Sequence, residues 1–248
     1  MNRRIFIGDV HGHYDGLMRL LEAIAPGQQD SLYFVGDLID RGPRSRQVID
    51  FVRDGGYRCV MGNHEQLLLD AFPNNEAHMP AFQGWLYSGG QPTLSSYDSV
   101  DDLFDHLHWI RQLPYYIDLG DIWLVHAGVN PSRSIEEQDS HEYCWIRESF
   151  HRSERPYFAD KLIIAGHTIT FTLPGIEPGG IAEGPGWLDI DTGAYHPKSG
   201  WLTAVDVDNG VVYQFNVFNL MIRVRRLQEA SAPVEIRKIK HRTAQLVS

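Results

Sequence analysis

Five short apolar segments recur along the first two thirds of the chain and set its pattern of predicted structure. They lie at residues 4–7, 32–35, 57–61, 122–125 and 162–165, and each is nearly continuous in aliphatic or aromatic side chains. Runs of this length are typical of strands buried on both faces of a sheet. Segments with apolar residues at helical spacing lie between them, at 15–25, 44–54, 64–72 and 101–112. Strands that alternate with helices predict an α/β fold.

The pattern changes after Trp187. Residues 187–190, 201–207 and 211–217 have the composition of antiparallel strands, and Asp208-Asn209-Gly210 supplies a turn between the last two. We therefore expect an α/β sandwich of two mixed β-sheets flanked by α-helices. No repeat, low-complexity segment or linker interrupts the chain, so we expect residues 1–248 to form a single domain.

Polar residues beside a glycine follow each of the five apolar segments. The sequences are GDVHG at 8–12, GDLIDRG at 36–42, GNHE at 62–65, HAG at 126–128 and GH at 166–167. In α/β sheets, ligands bind beyond the carboxyl ends of the strands. The predicted topology therefore brings one patch of polar residues together, namely Asp9, His11, Asp37, Asn63, His64, His126 and His167.

This patch has the donor atoms of a metal site. Carboxylate oxygen and imidazole nitrogen without thiolate suit divalent manganese, iron or zinc. The patch also holds more ligands than one tetrahedral zinc ion uses, which indicates two metals. A pair of ions about 3.5–4 Å apart can hold a phosphate group between them.

The five motifs in this order resemble the signature of the calcineurin-like metallophosphoesterases. More narrowly, they are similar to the phosphoprotein phosphatases of bacterial and phage type. The resemblance runs from Arg4 to about Val217. Two further segments resemble the bacterial branch, residues 85–90 with Thr93-Leu94, and residues 189–194.

The resemblance implies a role for each residue of the patch. Asp9 and His11 hold the first of two divalent ions, and Asp37 bridges both. The second ion is completed by Asn63, His126 and His167. The family suggests Mn²⁺ as the activator, with iron and zinc as alternatives.

The resemblance also implies the remaining catalytic groups. His64 is the general acid, and Asp40 orients it. Arg41 and a second arginine bind the phosphoryl oxygens. For that second arginine we choose Arg147, although Arg133, Arg152 and Arg155 lie nearby. A metal-bridging hydroxide attacks phosphorus directly, so no phosphoenzyme is expected.

Two enzymatic functions fit these motifs. The first is a metal-dependent phosphomonoesterase, a protein serine/threonine phosphatase that acts on a phosphorylated protein or a small phosphoester. The alternative is a symmetrical dinucleoside tetraphosphate hydrolase, a relative that tends to lack the acidic residue of the DRG motif and to carry GNHD. Asp40 and Glu65 favour the phosphatase. A scaffold without activity would have lost ligands, whereas every expected ligand is present.

Composition and charge narrow the possible partners. The chain of 248 residues has a net charge of −10, which disfavours nucleic acid and anionic membrane. No apolar run approaches the ~20 residues of a membrane span. Two cysteines and the absence of a secretory pattern at the start favour the cytoplasm. We expect a monomer.

The C-terminal segment differs in charge from the rest. Residues 221–248 carry seven Lys or Arg and two Glu, a balance of +5. We expect this basic extension to be a solvated edge strand or tail without chemistry.

Several other residues are expected to be structural. His106 and His108 are assigned to the solvated face of a helix, and His151 has no obvious partners. Glu65 is expected to form hydrogen bonds behind the site. Asp191 either supports the metal ligands from behind or is a turn residue before Gly193.

Overall fold

The computed structural model describes residues 2–239 and contains two six-stranded sheets. The first has the order β11-β10-β9-β1-β2-β3 and the second the order β12-β7-β8-β6-β5-β4. The strands are β1 Arg4–Ile7, β2 Ser31–Phe34, β3 Arg58–Cys59, β4 Tyr116–Asp118, β5 Ile122–Val125, β6 Leu162–Ala165, β7 Ile181–Gly184, β8 Trp187–Asp189, β9 Trp201–Asp206, β10 Val211–Asn216, β11 Ile222–Arg226 and β12 Ser231–Pro233.

The α-helices lie between and beside these strands. They are α1 Tyr14–Ile24, α2 Ser45–Asp54, α3 Asn63–Ala71, α4 Met79–Trp85, α5 Gln91–Ser95, α6 Val100–Ile110, α7 Ser140–Trp145, α8 Glu148–His151 and α9 Leu227–Ala230. None of the helices formed by residues 2–239 combines the length and the apolar character that a membrane span requires.

The core is layered because strand side chains alternate between the two faces of each sheet. Phe6 and Tyr33 of the first sheet pack with Leu124 and Ile164 of the second in a cluster between the sheets. Ile5 and Ile7 flank Phe6 on β1. They belong instead to the larger cluster, which includes residues of the helices. The expected sandwich of two mixed sheets flanked by helices is therefore confirmed.

Parallel pairing directs the functional segments to one edge. Strands β1, β2 and β3 pair in parallel, and so do β5, β6 and β8. The carboxyl ends of parallel strands point the same way, so the loops that follow them converge. The meander β9-β10-β11 is antiparallel throughout and joins β1 in the same sense. In the second sheet β4 is antiparallel to β5, and β7 is antiparallel to β8.

The predicted strands and helices are present with small shifts of their ends. The segment predicted at 57–61 is shorter, because only Arg58–Cys59 pairs with β2. Beyond it the backbone leaves the sheet, and the N–H of Met61 donates to the carbonyl of Pro114 at 2.8 Å.

The C-terminal region differs from the solvated tail that the charge pattern predicts. Strand β11 is an edge strand, as expected. The chain then crosses to the second sheet, where β12 pairs in parallel with β7. Ala230, Val234 and Ile239 are buried. Residues 227–239 are therefore packed against the fold, and the basic residues from 240 onward lie outside the described part.

The assignment of His106 to a solvated face is wrong. Its side chain is buried. Nδ1 lies 2.7 Å from the hydroxyl of Tyr97, and Nε2 lies 2.9 Å from Oδ1 of Asp50. The polar face of α6 is thus covered by α2 and the segment before α6 at this position.

Candidate metal centre

The loops after the strands bring all seven residues of the predicted patch into buried positions at one edge of the sandwich. Their backbone is unusual, because His11, Asp37 and His167 have φ between 47° and 68°. Asp40 and Arg41 also have positive φ. Such a backbone costs on the order of 1 kcal/mol for a residue other than glycine, and it clusters at functional sites. The fold therefore holds these side chains in place against a local preference.

Two glycines allow the loops to approach each other. A Cβ atom at Gly62 would lie 2.3 Å from Oδ1 of Asp37, and one at Gly166 would lie 2.2 Å from Oδ1 of Asp9. Both distances are shorter than any tolerated contact. Glycine beside the ligands is therefore required by the space that the carboxylates occupy.

The carboxylate of Asp37 lies between two histidines. Its Oδ2 is 3.6 Å from Nε2 of His11, and its Oδ1 is 3.4 Å from Nε2 of His126. Burial would raise the pKa of Asp37, but the surrounding histidines, His126 foremost, outweigh burial and hold it low. An ionised carboxylate with one oxygen toward each histidine is suited to join two cations.

The imidazoles are oriented by backbone carbonyls. Nδ1 of His11 lies 2.9 Å from the carbonyl oxygen of Ile39, and Nδ1 of His126 lies 2.8 Å from that of Val35. A carbonyl only accepts a hydrogen bond, so Nδ1 carries the proton in each ring. The lone pair of each Nε2 consequently points toward Asp37, which is the orientation of a metal ligand.

Asn63 and His167 lie on the His126 side of Asp37. Oδ1 of Asn63 is 3.0 Å from Nε2 of His126 and 2.8 Å from Nδ1 of His167. The contact with His126 brings two hydrogen-bond acceptors together, and a cation held by both would relieve their repulsion. Nε2 of His167 is buried and has no hydrogen-bond partner among residues 2–239. These donors therefore fit a divalent ion.

Asp9 adds a further buried carboxylate. Its Oδ2 accepts a hydrogen bond of 3.1 Å from the N–H of His167. Burial raises the pKa of Asp9 well above its usual range, and the negative charges of Asp191 and Asp37 raise it further. Burial, followed by Asp189, also raises the pKa of Asp191 to about 7. Such a concentration of buried carboxylates is stabilised by bound cations.

The described residues contain two clusters with the spacing of metal ligands. One is formed by His11, Asp37 and His64, and the other by Asp37, His126 and His167. In each cluster the ligand atoms lie within 4.8 Å of one another. Asp37 belongs to both, as a shared bridging carboxylate requires. The first cluster contains His64, which was predicted as the general acid, and the predicted ligand Asp9 belongs to neither cluster.

His64 forms a buried pair with Asp40. Its Nδ1 lies 2.6 Å from Oδ2 of Asp40, and its Nε2 lies 3.4 Å from Nη2 of Arg41. Burial lowers the pKa of His64, but the charge of Asp37 and the hydrogen bond with Asp40 outweigh it, so the pKa is raised. The engagement of Nδ1 by Asp40 separates His64 from the histidines whose Nδ1 bonds to a backbone carbonyl.

Two side chains fix the position of the Asp40 carboxylate. Nε1 of Trp85 donates to both of its oxygens at 3.0 Å, and the hydroxyl of Thr93 donates to Oδ1 at 2.7 Å. Both residues belong to segments that resemble the bacterial branch, but their contact with Asp40 was not predicted. Asp40 is thus held independently of His64.

The predicted arginines line the same cavity as the metal-ligand candidates. This cavity has a volume of about 330 Å³, and both Arg41 and Arg147 form part of its wall. Nη1 of Arg147 donates to the carbonyl of His167 and to the hydroxyl of Thr168, each at 3.1 Å. Arg133, by contrast, pairs with Glu142 at 2.7 Å. Neither Arg152 nor Arg155 is part of the wall.

Tyr195 is a site residue that the sequence reasoning missed. The guanidinium of Arg41 lies 4.1 Å from the centre of its ring, and His11 contacts the ring edge at 4.7 Å between centroids. Tyr195 follows the motif at 189–194 directly, so its position was the available signal. It thus packs against Arg41, whose Nη2 also lies 3.4 Å from Nε2 of His64.

Other residues behind the site have defined contacts. Glu65 accepts hydrogen bonds from the backbone N–H groups of Asp37, Leu38 and Gly62, as predicted. Asp191 is buried and lines the cavity. His151, for which no partner was expected, bonds to Asp189 and to the backbone of Arg147.

Comparison with known proteins identifies the family. The profile of the family described as calcineurin-like phosphoesterase matches residues 3–188. The matched segment includes every predicted metal ligand and all four predicted catalytic residues.

Two curated relatives carry different activities in their names. The chain is 44% identical over 153 residues to serine/threonine-protein phosphatase 1 of Salmonella typhimurium, covering 57% of this chain and 67% of that protein. It is 37% identical over 128 residues to the symmetrical bis(5'-nucleosyl)-tetraphosphatase of Dechloromonas aromatica, covering 50% of this chain and 43% of that protein. The chain thus spans less than half the length of the second relative.

The fold matches solved structures as well. A structure assigned as a diadenosine tetraphosphatase superposes with a TM-score of 0.60 at 22% identity, covering 91% of this chain and 93% of that chain. At this identity the likeness concerns the fold alone.

Proposed function

This chain belongs to the calcineurin-like phosphoesterase family, and we propose that it hydrolyses phosphoserine and phosphothreonine in proteins, as a metal-dependent phosphomonoesterase. The activity of the Salmonella relative supports this proposal by its name. The single observation that carries it is the buried pair of His64 and Asp40.

The metal ions would be held by the two groups of donors around Asp37. We propose that His11 and Asp9 would hold one ion and that Asn63, His126 and His167 would complete the other. When bound, divalent ions supply an activated water for attack on phosphorus and part of the charge that neutralises the phosphoryl oxygens. We propose Mn²⁺ as the activator, with iron and zinc as alternatives, since the same donor atoms accept all three.

The arginines position the phosphoryl group. Arg41 and Arg147 line the cavity from different elements of the fold, so they can contact different oxygens of one phosphate. The planar guanidinium offers two parallel donors, which suits a tetrahedral phosphoryl group. The stack of Arg41 on Tyr195 limits the rotation of its side chain and so pre-organises this contact.

His64 is placed to protonate the leaving group. Asp40 accepts a hydrogen bond from Nδ1, and Nε2 lies at the cavity, 3.4 Å from Nη2 of Arg41. The carboxylate of Asp40 stabilises the protonated form of the ring. A serine or threonine alkoxide is a very basic leaving group and requires a proton, whereas a polyphosphate leaves without one. The presence of a buried pair that can supply this proton therefore favours an ester of an alcohol as the substrate.

The alternative function is symmetrical hydrolysis of dinucleoside tetraphosphates. It is favoured by the relative from Dechloromonas aromatica, which carries that name. The shared metal ligands serve both reactions equally, so they do not distinguish the two. The need for a proton donor does distinguish the two reactions, because only the alkoxide leaving group requires a proton.

The experiment compares the two substrate classes on one preparation. We expect kcat/KM for a phosphoserine peptide to exceed that for diadenosine tetraphosphate by about tenfold or more with Mn²⁺ present, a difference of about 1.4 kcal/mol in transition-state stabilisation. The reverse order would establish the alternative. Hydrolysis of neither substrate by folded, metal-loaded protein would contradict both.

The remaining expectations stay predictions. We propose a monomer of one domain that works in the cytoplasm without nucleic-acid or membrane partners. Both cysteines are buried and free, as a reducing compartment allows.

A further inference from the structure

A second cavity lies beside the metal centre. Its volume is about 580 Å³, and it shares Arg147, His167 and Tyr195 with the cavity of the metal-ligand candidates. A substrate whose phosphoryl group contacts Arg147 therefore has direct access to this second space. None of the metal-ligand candidates other than His167 lines it.

The C-terminal segment builds one wall of this second cavity. Lys238 and Ile239 line it, opposite Ile169 and Leu173. The segment is tied in place by the N–H of Glu235, which donates to the carbonyl of Pro174 at 3.0 Å. Ile239 is 8% exposed. The wall is thus part of the packed fold.

One part of the lining of this second cavity is aliphatic. Ile169, Leu173, Pro174 and Ile239 provide the apolar surface. Arg147, Glu148 and Lys238 also line the cavity, and Lys238 is paired with Glu235. The aliphatic part of the lining therefore suits an apolar side chain, with charged groups at its border.

An aliphatic group fits this cavity better than a nucleobase. Tyr195 is the aromatic residue of the lining apart from the imidazoles, and Arg41 already stacks on its ring. Nucleobases are usually held by stacking on a free aromatic face. One face of the Tyr195 ring is thus taken by Arg41, whereas branched aliphatic side chains pack well against Ile and Leu.

We propose that this second cavity is a specificity subsite that takes an aliphatic side chain of a peptide substrate, close to the phosphorylated residue. The proposal rests on the proposed function as a protein phosphatase and adds a preference among phosphopeptides. Branched aliphatic residues such as leucine are the expected occupants. Binding of such a residue would order the peptide across Arg147 toward the metal centre.

The test uses a set of phosphoserine peptides with three residues on each side of the phosphoserine. In one peptide all of these flanking residues are alanine, and in each of the others one of them is leucine. In the unaltered protein we expect leucine at one position to raise kcat/KM by roughly tenfold over the all-alanine peptide, as for a side chain in an apolar pocket. The ratio of kcat/KM for the leucine peptide to kcat/KM for the all-alanine peptide is measured on one protein. A general loss of activity in a variant therefore does not change this ratio.

Two variants of one residue and a control locate the effect. Ile169 is half-buried, so Ile169→Asp places a charge in the second cavity without opening the core, and Ile169→Ala only shortens the wall. We expect the leucine advantage, the higher kcat/KM of the leucine peptide over the all-alanine peptide, to disappear in Ile169→Asp and to shrink in Ile169→Ala. Val224→Asp adds the same charge on edge strand β11, at a residue 54% exposed, and should keep the full ratio.

The outcomes separate this proposal from the function itself. A ratio near one at every position, with the all-alanine peptide still hydrolysed, would overturn the subsite and leave the phosphatase standing. A leucine advantage that survives in Ile169→Asp would place the preference elsewhere and overturn it too. Cleavage of diadenosine tetraphosphate with no peptide hydrolysed would overturn both proposals.

Discussion

The Nε2 atom of His151 lies 2.9 Å from Oδ2 of Asp189, and both side chains are fully buried. Nδ1 of the same ring lies 2.9 Å from the carbonyl oxygen of Arg147. His151 thus joins strand β8 to the backbone of Arg147, whose side chain lines the candidate site. Burial raises the pKa of Asp189, while His151 acts in the opposite direction.

We predict that His151→Ala destabilises the protein and loosens Arg147. Removal of one partner of a buried pair leaves the other unpaired, which costs about 3–5 kcal/mol in the free energy of unfolding. Urea unfolding measures this loss, and KM for a phosphoester should rise with it. His141→Ala alters an exposed histidine of α7 and should change stability by less than about 0.5 kcal/mol. Equal stability of both variants would contradict a role for the pair.

His64→Asn should affect basic leaving groups most. A positioned acid contributes ~10²–10⁴-fold, and its benefit grows with the basicity of the leaving group. We therefore expect a large fall in kcat for a phosphoserine peptide and a much smaller one for an activated aryl phosphate. Asp40→Asn should follow the same trend more mildly, and the double variant should be non-additive. Equal losses on both substrates, with metal still bound, would mean that His64 does not deliver the proton.

Asp37→Asn should disrupt both metal sites, since its two oxygens face different histidines. His11→Ala should chiefly weaken one site. Metal content per chain, determined by elemental analysis after exchange into metal-free buffer, distinguishes the two results. Asp98→Asn changes an aspartate whose side chain is 95% exposed and should bind metal normally. Full activity in verified metal-free protein would refute the dinuclear centre.

The pair of Asp30 and Arg3 should make stability depend on pH in the acid range. The carboxylate accepts hydrogen bonds from Arg3 at 2.6 Å and from the N–H of Gly27 at 2.7 Å. The guanidinium of Arg3 holds the pKa of Asp30 well below its usual value. The contribution is therefore present above about pH 4, the value of an unfolded Asp, and is lost as pH falls through the folded pKa.

Asp30→Asn consequently should lower stability at pH 7 by about 1 kcal/mol, the upper range for a pair near the surface. The stability difference between the variant and the unaltered protein should begin to shrink below about pH 4 and should keep shrinking as pH falls toward the folded pKa of Asp30. Thermal unfolding across this range measures the convergence. The exposed Asp160→Asn is the matched control. A constant difference at all pH values would show that ionisation of Asp30 is not the cause.

Shortening of the chain should have two distinct effects. Removal of residues 240–248 retains every described contact and should leave hydrolysis of an aryl phosphate unchanged. Removal from Ala230 onward deletes β12 together with the buried Val234 and Ile239, and should lower stability by about 2–5 kcal/mol. Denaturation of both truncated proteins gives the comparison. Unchanged stability after the longer deletion would mean that β12 does not support the second sheet.

The sequence by itself determined the fold class and the positions of the candidate metal ligands along the chain. Apolar runs such as 4–7 and 162–165 report burial, and the helical spacing in 101–112 reports an amphipathic face. Both are local properties, so they appear in a single sequence. Asp9, His11 and His167 follow directly after predicted strands, and parallel pairing alone suffices to collect them.

Tertiary structure decided which distant residues support that site. Arg147 could be separated from Arg133 only by its contacts with His167 and Thr168, and Tyr195 became visible only through its stack on Arg41. His151 gives no local signal, because its partner Asp189 is 38 residues away. Such contacts are set by how the sheets and loops pack.

The C-terminal segment shows the same limit. The net charge of this segment counts its residues without regard to their contacts. It therefore cannot show that β12 pairs with the second sheet or that Ile239 lines a cavity. Likewise, the positive φ of His11 and Asp37 opposes their local preference, so no local pattern predicts it. The sequence determined which groups could do the chemistry, whereas long-range packing decided their geometry, because its energy comes from residues far apart in the chain.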